Sequence, residues 1–242
     1  MVKTQRVTVV GVGAWGTVLA LQLLRNGHQV ALWSHDTALA DELRRSRINQ
    51  RFLPGFALPD ALDIYSDEKA ALTGADAVVF VTASPFLRST IERFIPYLNN
   101  DIRILNATKG LEEGTNQTML DIYQQTLSTD QMQRWALLSG PNLSLEVAQQ
   151  LPTTTVIASE NQTVAHYFQL LFNASTFRVY TNSDVKGVQT AGTLKNVMAL
   201  AAGILEGLGF GYNARAGLMV RGLAEMTRLG LALGAQRATF YG

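Results

Sequence analysis

Val7-Thr-Val-Val-Gly11-Val-Gly13-Ala-Trp15-Gly16 places a G-x-G-x-x-G pattern directly after a short β-branched run and directly before an apolar helical pattern. Gly11 permits a tight turn, Gly13 lets the main chain approach a pyrophosphate, and Gly16 lets the helix lie close to the strand. The N-terminus of that helix supplies free N–H groups and a positive dipole for phosphates. This context predicts a dinucleotide-binding βαβ unit, and the alternative is a tight strand–helix turn that binds no ligand.

Outward from this turn, unbroken hydrophobic runs alternate with helical patterns as far as Asn182. Such runs are typical of a mostly parallel sheet that is covered on both faces. We therefore expect an α/β protein with a Rossmann-like, doubly wound sheet. The predicted strands are residues 7–10, 29–33, 75–82, 102–106, 135–138, 153–158 and 177–180, and the predicted helices are 14–25, 37–47, 85–98, 116–127 and 164–172, with one more starting near Leu143.

The pattern changes after Asn182. No strand is predicted over 183–242, where two long helices rich in Ala, Leu and Gly are expected at 184–208 and 214–233. We therefore expect a dinucleotide-binding domain over 1–182 and an all-α substrate domain over 183–242. The helical region is too short to close a core alone, so it must pack on the first domain, on a partner chain or on further sequence.

Composition excludes several classes of protein. The 242 residues are 47% hydrophobic and 16% charged, which suits a packed core rather than a disordered chain. The net charge of +1 argues against a broad nucleic-acid or anionic-membrane surface. The absence of Cys excludes disulfides, thiolate metal sites and a cysteine nucleophile, and it fits a reducing cytosol. We expect no signal peptide, no membrane span and no metal.

The choice between NAD and NADP depends on the residues after the second strand. Asp36 lies about 20 residues beyond the glycine turn, where an acidic residue grips the ribose hydroxyls of NAD. Ser34 and His35 precede it and could accommodate a 2′-phosphate. Asp36 is explained more simply as the N-cap of the helix over 37–47. We therefore predict that both NAD and NADP are used.

Two lysines lie where parallel-sheet enzymes keep their chemistry. Lys109 follows the strand that ends at Asn106 and should point into the cleft by the cofactor, unless it is a solvated lysine at a turn. Lys195 lies in a stretch, 191–205, that carries no other charge. Desolvation there would lower its pKa and make it a usable general acid or base, unless it lies at the helix edge with its ammonium in water.

A third candidate is Ser139-Gly140-Pro141-Asn142, which joins a strand to a helix. The N-terminus of that helix can receive an anion. The alternative is that Asn142 is an ordinary N-cap for the helix.

Together these segments resemble the NAD(P)-dependent glycerol-3-phosphate dehydrogenase family of the bacterial type. The resemblance includes GVGAWGTVLA in the first turn, RFLPGFALP at 51–59, the T-K-G of NATKGLEEGT and the segment SGPNLSLEVAQQLPTTTVIAS. The long stretch over 192–234 resembles the family's substrate-domain helices almost residue by residue and is the most specific segment. A Rossmann dehydrogenase of the 3-hydroxyacid type would explain the glycine turn but not the TKG, GPN and LKN segments together.

The resemblance implies reversible hydride transfer between NAD(P)H and dihydroxyacetone phosphate, giving sn-glycerol 3-phosphate for glycerophospholipid synthesis in the cytoplasm. By position, Lys195 matches the proton donor and acceptor at the substrate C2 oxygen. Lys109 matches a residue that touches both cofactor and substrate. The other positions that the resemblance points to are Gly11, Gly13, Ala14, Trp15, Gly16, His35 and Ser144 for the cofactor, and Gly140, Asn142 and Asn196 for the substrate.

The chain departs from the family in four places. Ala14 stands where Ser is frequent, Asn142 where a small hydroxyl residue is common, and Ser144 where Ala is common. The family also continues beyond the equivalent of Gly242, with a segment that contacts substrate phosphate and cofactor. We therefore expect a fragment or shortened variant, and the alternative function is a weak or inactive dinucleotide-binding homologue. Exposed helix faces would favour association, which allows a homodimer.

Overall fold

The computed structural model describes residues 3–241. It contains an eight-stranded sheet formed by β1 (Arg6–Val10), β2 (Gln29–Trp33), β3 (Leu62–Tyr65), β4 (Ala77–Phe80), β5 (Arg103–Asn106), β6 (Trp135–Ser139), β7 (Thr153–Ala158) and β8 (Phe177–Asn182). The helices are α1 (Ala14–Arg25), α2 (Thr37–Ser46), α3 (Glu68–Leu72), α4 (Leu87–Phe94), α5 (Met119–Thr126), α6 (Thr129–Met132), α7 (Ser144–Ala148), α8 (Gln162–Phe172), α9 (Val185–Gly207) and α10 (Tyr212–Ala232). Short 3-10 turns occupy Ser84–Phe86, Ile95–Tyr97 and Arg237–Phe240.

The strand order is β3-β2-β1-β4-β5-β6-β7-β8. Adjacent strands pair in parallel, except that β6 and β7 are antiparallel, with Leu137 opposite Ala158. The order reverses between β1 and β4, and this switch point opens a crevice beyond the carboxyl ends of the strands. The predicted fold class, a Rossmann-like α/β sheet followed by a helical region, is therefore confirmed.

Alternate residues of each strand enter cores on opposite faces of the sheet. Val9 belongs to a core with Leu19 of α1 and Phe168 of α8. Phe80 belongs to the other core, where its ring packs edge-on against Phe94 with centroids 5.7 Å apart. Burial on both faces explains why the strands read as unbroken hydrophobic runs.

The first half of α9 is fastened to the sheet and to the end of the chain. Asp184 caps α9 through Gly187 N (2.9 Å) and also accepts from Gln236 N (2.8 Å). Gly192 lies so close to β6 that a Cβ there would be 2.3 Å from Ser139 Oγ. Beyond it, α9 and α10 expose large apolar side chains, among them Val197, Leu200, Ile204, Met219 and Val220.

The structure adds elements that the sequence did not predict. These are β3 with the short helices α3 and α6, while the helix expected over 85–98 is α4 flanked by two 3-10 turns. Each proline of that segment lies in one of the turns, where its fixed φ and missing N–H are tolerated. None of the helices within residues 3–241 combines the length and hydropathy that a membrane crossing requires.

Candidate active site

The glycine-rich turn joins β1 to α1, and its three glycines differ in how much space surrounds them. Gly11 has a φ of +125°, and a Cβ there would lie 2.7 Å from the Val81 carbonyl oxygen. A Cβ on Gly16 would lie 2.0 Å from the Gly11 carbonyl oxygen. Around Gly13, by contrast, the described residues other than its own chain neighbours and the adjoining helix backbone leave the Cβ position open to 4 Å. Two glycines therefore serve packing, and Gly13 borders open space.

That open space is a cavity of about 370 Å³ beyond the carboxyl ends of β1, β4 and β5. It brings together most of the residues that the sequence singled out, although they come from distant parts of the chain. The predicted residues that line it are Gly13, Ala14, Trp15, Gly16, Lys109, Asn142, Ser144 and Lys195, and the further lining residues are Val81, Thr82, Ala83, Ala107 and Thr108.

The cavity fits a dinucleotide on three observations. Gly13 leaves space for a pyrophosphate beside the N-terminus of α1. Thr82 Oγ1 and Trp15 Nε1 are buried, and neither has a hydrogen-bond partner among the described residues. Buried polar atoms are normally hydrogen-bonded, so two unpartnered ones on residues that line the cavity are consistent with a site for a polar molecule.

Lys109 extends from the loop after β5 across the cavity. Its Nζ donates to the Gly140 carbonyl at 3.4 Å and lies 5.5 Å from the centre of the Trp15 ring. Burial, reinforced by the positive charge of Lys195, lowers the pKa of Lys109 to about 8. A cation with this pKa can attract a phosphate or polarise a carbonyl near neutral pH.

Lys195 reaches the same cavity from α9. Its Nζ donates to Asn196 Oδ1 at 3.2 Å in an exposed contact. The sequence left two environments open for Lys195, and the structure shows a half-buried residue whose contact with Asn196 is exposed, which is nearer to the alternative of a lysine at the helix edge. The desolvated ammonium is that of Lys109.

The turn after β6 also differs from the alternative that the sequence suggested. Asn142 does not cap α7, whose N-cap position is Leu143 and which receives no side-chain cap from the described residues. Instead, Asn142 Nδ2 donates to the Thr154 carbonyl at 2.8 Å, and its Oδ1 lies 3.1 Å from Thr155 Oγ1. The Asn142 side-chain amide is therefore hydrogen-bonded to β7 and does not cap α7.

The other candidates are not among the residues that line the cavity. Gly140 contributes its carbonyl to Lys109, Asn196 contacts Lys195, and His35 is exposed beyond β2. Asp36 is the N-cap of α2, as predicted, with its Oδ1 accepting from Leu39 N at 3.1 Å. Its carboxylate is therefore engaged by the helix.

Two functional features were missed from the sequence. One is Thr82, which follows β4 at the sheet edge where Lys109 follows β5, so its position at a strand end was an available signal.

The other is a clasp on the loop of Lys109. Arg88 of α4 donates through Nε to Glu112 Oε1 at 2.7 Å and through Nη2 to Glu112 Oε2 at 3.0 Å. Hydrogen bonds from Arg88 and Thr115 hold the pKa of Glu112 at about 2.

Comparison with known proteins identifies relatives over nearly the whole chain. The family model described as the NAD-dependent glycerol-3-phosphate dehydrogenase N-terminus matches residues 6–165, and the C-terminus model matches 184–242. Glycerol-3-phosphate dehydrogenase [NAD(P)+] of Syntrophotalea carbinolica is 45% identical over 97% of this chain and 70% of its own length. The Enterococcus faecalis relative of the same name is 42% identical, over 98% of this chain and 70% of its own length.

Solved structures give the same result. Glycerol-3-phosphate dehydrogenase of Coxiella burnetii is similar to 99% of this chain with a TM-score of 0.90 at 37% identity, over 72% of its own length. The yeast glycerol-3-phosphate dehydrogenase matches 99% of this chain with a TM-score of 0.81 at 29% identity, over 74% of its own length.

Proposed function

The chain belongs to the NAD-dependent glycerol-3-phosphate dehydrogenase family, and from this membership we propose that it catalyses the reversible NAD(P)H-dependent reduction of dihydroxyacetone phosphate to sn-glycerol 3-phosphate. One observation carries the proposal: a single cavity joins the glycine turn to Lys109 and Lys195. A phosphorylated ketone needs a cation for its phosphate and a proton for its reduced oxygen, and the two lysines offer both.

The cofactor half of the site is built from β1, α1 and β4. The turn at Gly11, Gly13 and Gly16, with Ala14, offers backbone N–H groups to the pyrophosphate. Trp15 Nε1, Thr82 Oγ1 and Ser144 would supply further polar contacts, and His35 is assigned to the cofactor by its position in the family. When bound there, the reduced nicotinamide supplies the hydride.

The substrate half is built from the loop after β5, the turn after β6 and α9. Lys195 donates a proton from Nζ to the C2 oxygen as that oxygen gains negative charge, and it takes the proton back in the reverse direction. Lys109 holds positive charge beside the carbonyl and the phosphate. Gly140, Asn142 and Asn196 orient the substrate. We also propose a cofactor domain over 1–182 and a substrate domain over 183–242, with Lys109, Gly140 and Asn142 of the first domain completing the substrate half of the site.

Both NAD and NADP are proposed as cofactors. Asp36 is committed to capping α2, which leaves it a weaker partner for ribose hydroxyls than a free carboxylate. Ser34 Oγ donates to the Asp36 carbonyl at 3.0 Å, so the loop keeps a fixed shape for either ribose. The kcat/KM values for NADH and NADPH should differ by less than about a thousandfold, or roughly 4 kcal/mol. A larger ratio contradicts the use of both.

The proposed biological setting is glycerophospholipid synthesis in the cytoplasm. The relatives named above share the reaction in their names, and the product is the phosphorylated alcohol on which glycerophospholipids are built. The small net charge of +1 supports a small-molecule substrate rather than a nucleic acid. The exposed apolar side chains of α9 and α10 support a homodimer.

The test follows NADH absorbance after dihydroxyacetone phosphate is added. Lys195→Ala should lower kcat by at least about a hundredfold, because general acid–base groups contribute that much, while NADH affinity stays within about twofold. Lys186→Ala is the matched control, since Lys186 is exposed on the same helix. A Lys195→Ala variant that keeps most of its rate contradicts the proton-transfer assignment. Cofactor binding with no ketone-dependent turnover in the unmodified chain would favour the dinucleotide-binding alternative.

A further inference from the structure

The antiparallel pairing of β7 with β6 brings a buried hydroxyl beneath the turn after β6. Val156 lies opposite Ser139, so the preceding residue, Thr155, lies where the turn begins. Thr155 is 1% exposed. Its Oγ1 is 3.0 Å from the Ser139 carbonyl oxygen and 3.1 Å from Asn142 Oδ1. A hydroxyl has one proton, so it donates to one of these acceptors at a time.

Gly140 rests directly on Thr155. A Cβ on Gly140 would lie 3.0 Å from both Thr155 Cα and Thr155 Oγ1. There is therefore no room for a side chain at position 140, and the turn backbone packs directly on β7. Since α7 receives no side-chain cap from the described residues, the turn is held from β7 rather than from its own helix.

The 139–142 turn holds two groups of the substrate half in place. The Gly140 carbonyl accepts from Lys109 Nζ, and Asn142 lines the cavity. The Asn142 amide uses one Nδ2 hydrogen on the Thr154 carbonyl and one Oδ1 lone pair towards Thr155. An amide has two of each, so one donor and one acceptor remain for a ligand.

We propose that Thr155 is a positioning residue for the phosphorylated ketone: its hydroxyl holds the 139–142 turn so that the Gly140 carbonyl meets Lys109 and the Asn142 amide keeps one orientation in the cavity. The inference rests on the proposed function, because it concerns the substrate half of that site. Thr155 itself does not line the cavity, so it acts through the turn.

The proposal predicts different effects on the substrate half and the cofactor half of the site. Removing the hydroxyl takes away the one buried donor that the Ser139 carbonyl and Asn142 Oδ1 share, which favours movement of the turn. The glycine turn of the cofactor half lies on β1 and α1 and has none of these contacts. The effect should therefore be larger in substrate binding than in cofactor binding.

The test compares Thr155→Val, which keeps the branched shape and removes the hydroxyl, with Thr155→Ser, which keeps the hydroxyl. We expect Thr155→Val to raise the KM for dihydroxyacetone phosphate about tenfold, consistent with loss of one buried hydrogen bond, while the KM for NADH changes less than about twofold. Thr155→Ser should restore the KM. Thr153→Val is the control on the same strand, since the Thr153 hydroxyl donates to the Leu151 carbonyl in an exposed contact.

A second measurement needs no turnover. Amide hydrogen exchange across residues 139–144 should accelerate in Thr155→Val and stay at the wild-type rate in Thr155→Ser and Thr153→Val. Unchanged exchange in Thr155→Val overturns the inference, whether or not the chain is active. An active wild type with the same ketone KM in Thr155→Val, or with equal rises in the KM for ketone and for NADH, also overturns it. A wild type that binds NADH but never reduces the ketone contradicts the proposed function instead.

Discussion

Lys109 and Lys195 line one cavity from different elements, and their surroundings set different roles for them. Lys109 is half-buried between the Trp15 ring and the Gly140 carbonyl. Lys195 contacts the exposed amide of Asn196. Two like charges in one cavity oppose each other until an anion enters, so a substrate phosphate would relieve their repulsion.

The first prediction concerns the pH dependence of ketone reduction. We expect kcat/KM to fall as the pH rises through about 8, because deprotonation of Lys109 removes the cation that attracts phosphate and polarises the carbonyl. Lys109→Arg keeps its charge, so its profile should stay level over the same range. Rates are measured between about pH 7 and about pH 9.5, where a phosphate monoester is already mostly dianionic. A level wild-type profile contradicts a role for the Lys109 ammonium.

The chemistry of these residues was more predictable than their environment. Lys109 was placed in the cavity because it follows a strand end, and parallel strands end at one edge of the sheet. Which lysine is dry depends on how α9 packs against the sheet, and no local pattern around Lys195 records that. The partner of Asn142 was equally hidden, since Thr154 and Thr155 reach it only through the antiparallel strand.

At the scale of elements, the glycine turn predicts opposite outcomes for two similar substitutions. Gly13→Ala should fold with unchanged stability, since its φ of −61° suits alanine and its Cβ meets open space, but cofactor affinity should fall on the order of tenfold as the methyl group occupies that space. Gly16→Ala should destabilise the fold by about 1–3 kcal/mol, because its Cβ would overlap the Gly11 carbonyl. Urea unfolding and NADH titration measure both. Equal stability of the two variants would refute the assignment.

The clasp between α4 and the loop of Lys109 gives the next prediction. Glu112→Gln removes the charge that pairs with Arg88, so the loop should loosen and kcat/KM for the ketone should fall roughly tenfold, since small misplacements of an active-site cation are costly. Glu113→Gln is the control, because Glu113 is the exposed neighbour on the same loop. Steady-state rates at saturating NADH measure the effect. Equal rates in the two variants would mean that the clasp does not position Lys109.

Most elements that the sequence predicted lie within one or two residues of their predicted bounds, and the elements that it missed are short. The bounds predicted for α1 and β2 match the structure, because both elements combine a strong apolar pattern with a clear stop. β3 has four residues and carries Asp63, so it offers too few positions for an alternating pattern to stand out. The direction of β7 was also unpredictable, since a buried apolar run looks the same in parallel and antiparallel pairing.

The whole molecule keeps its chemistry at the carboxyl edge of the sheet and a buried titratable group at the opposite edge. His28 precedes β2, is 5% exposed and accepts from Gln5 N through Nδ1 at 3.3 Å. Burial lowers the pKa of His28, although a backbone contact with Leu171 opposes the shift. The folded state therefore favours the neutral ring, and protonation would replace the Nδ1 acceptor with a second donor facing Gln5 N–H.

The last prediction follows from this difference between the folded and unfolded states. The unfolded chain binds a proton at His28 near pH 6.5 and the folded chain does so only at lower pH, so this contribution to stability is complete above about pH 6.5 and is lost as the pH falls towards the folded pKa. Urea unfolding between about pH 7.5 and about pH 5.5 should show the loss, in a range above the titration of ordinary carboxyl groups. His28→Asn keeps an acceptor for Gln5 N without a titrating ring, so its stability should vary less over this range, whereas His166→Asn, at an exposed position, should keep the wild-type slope. Equal slopes in His28→Asn and the wild type would show that the acid-sensitive group lies elsewhere, because the neutral ring would then stabilise the fold no more than the charged one.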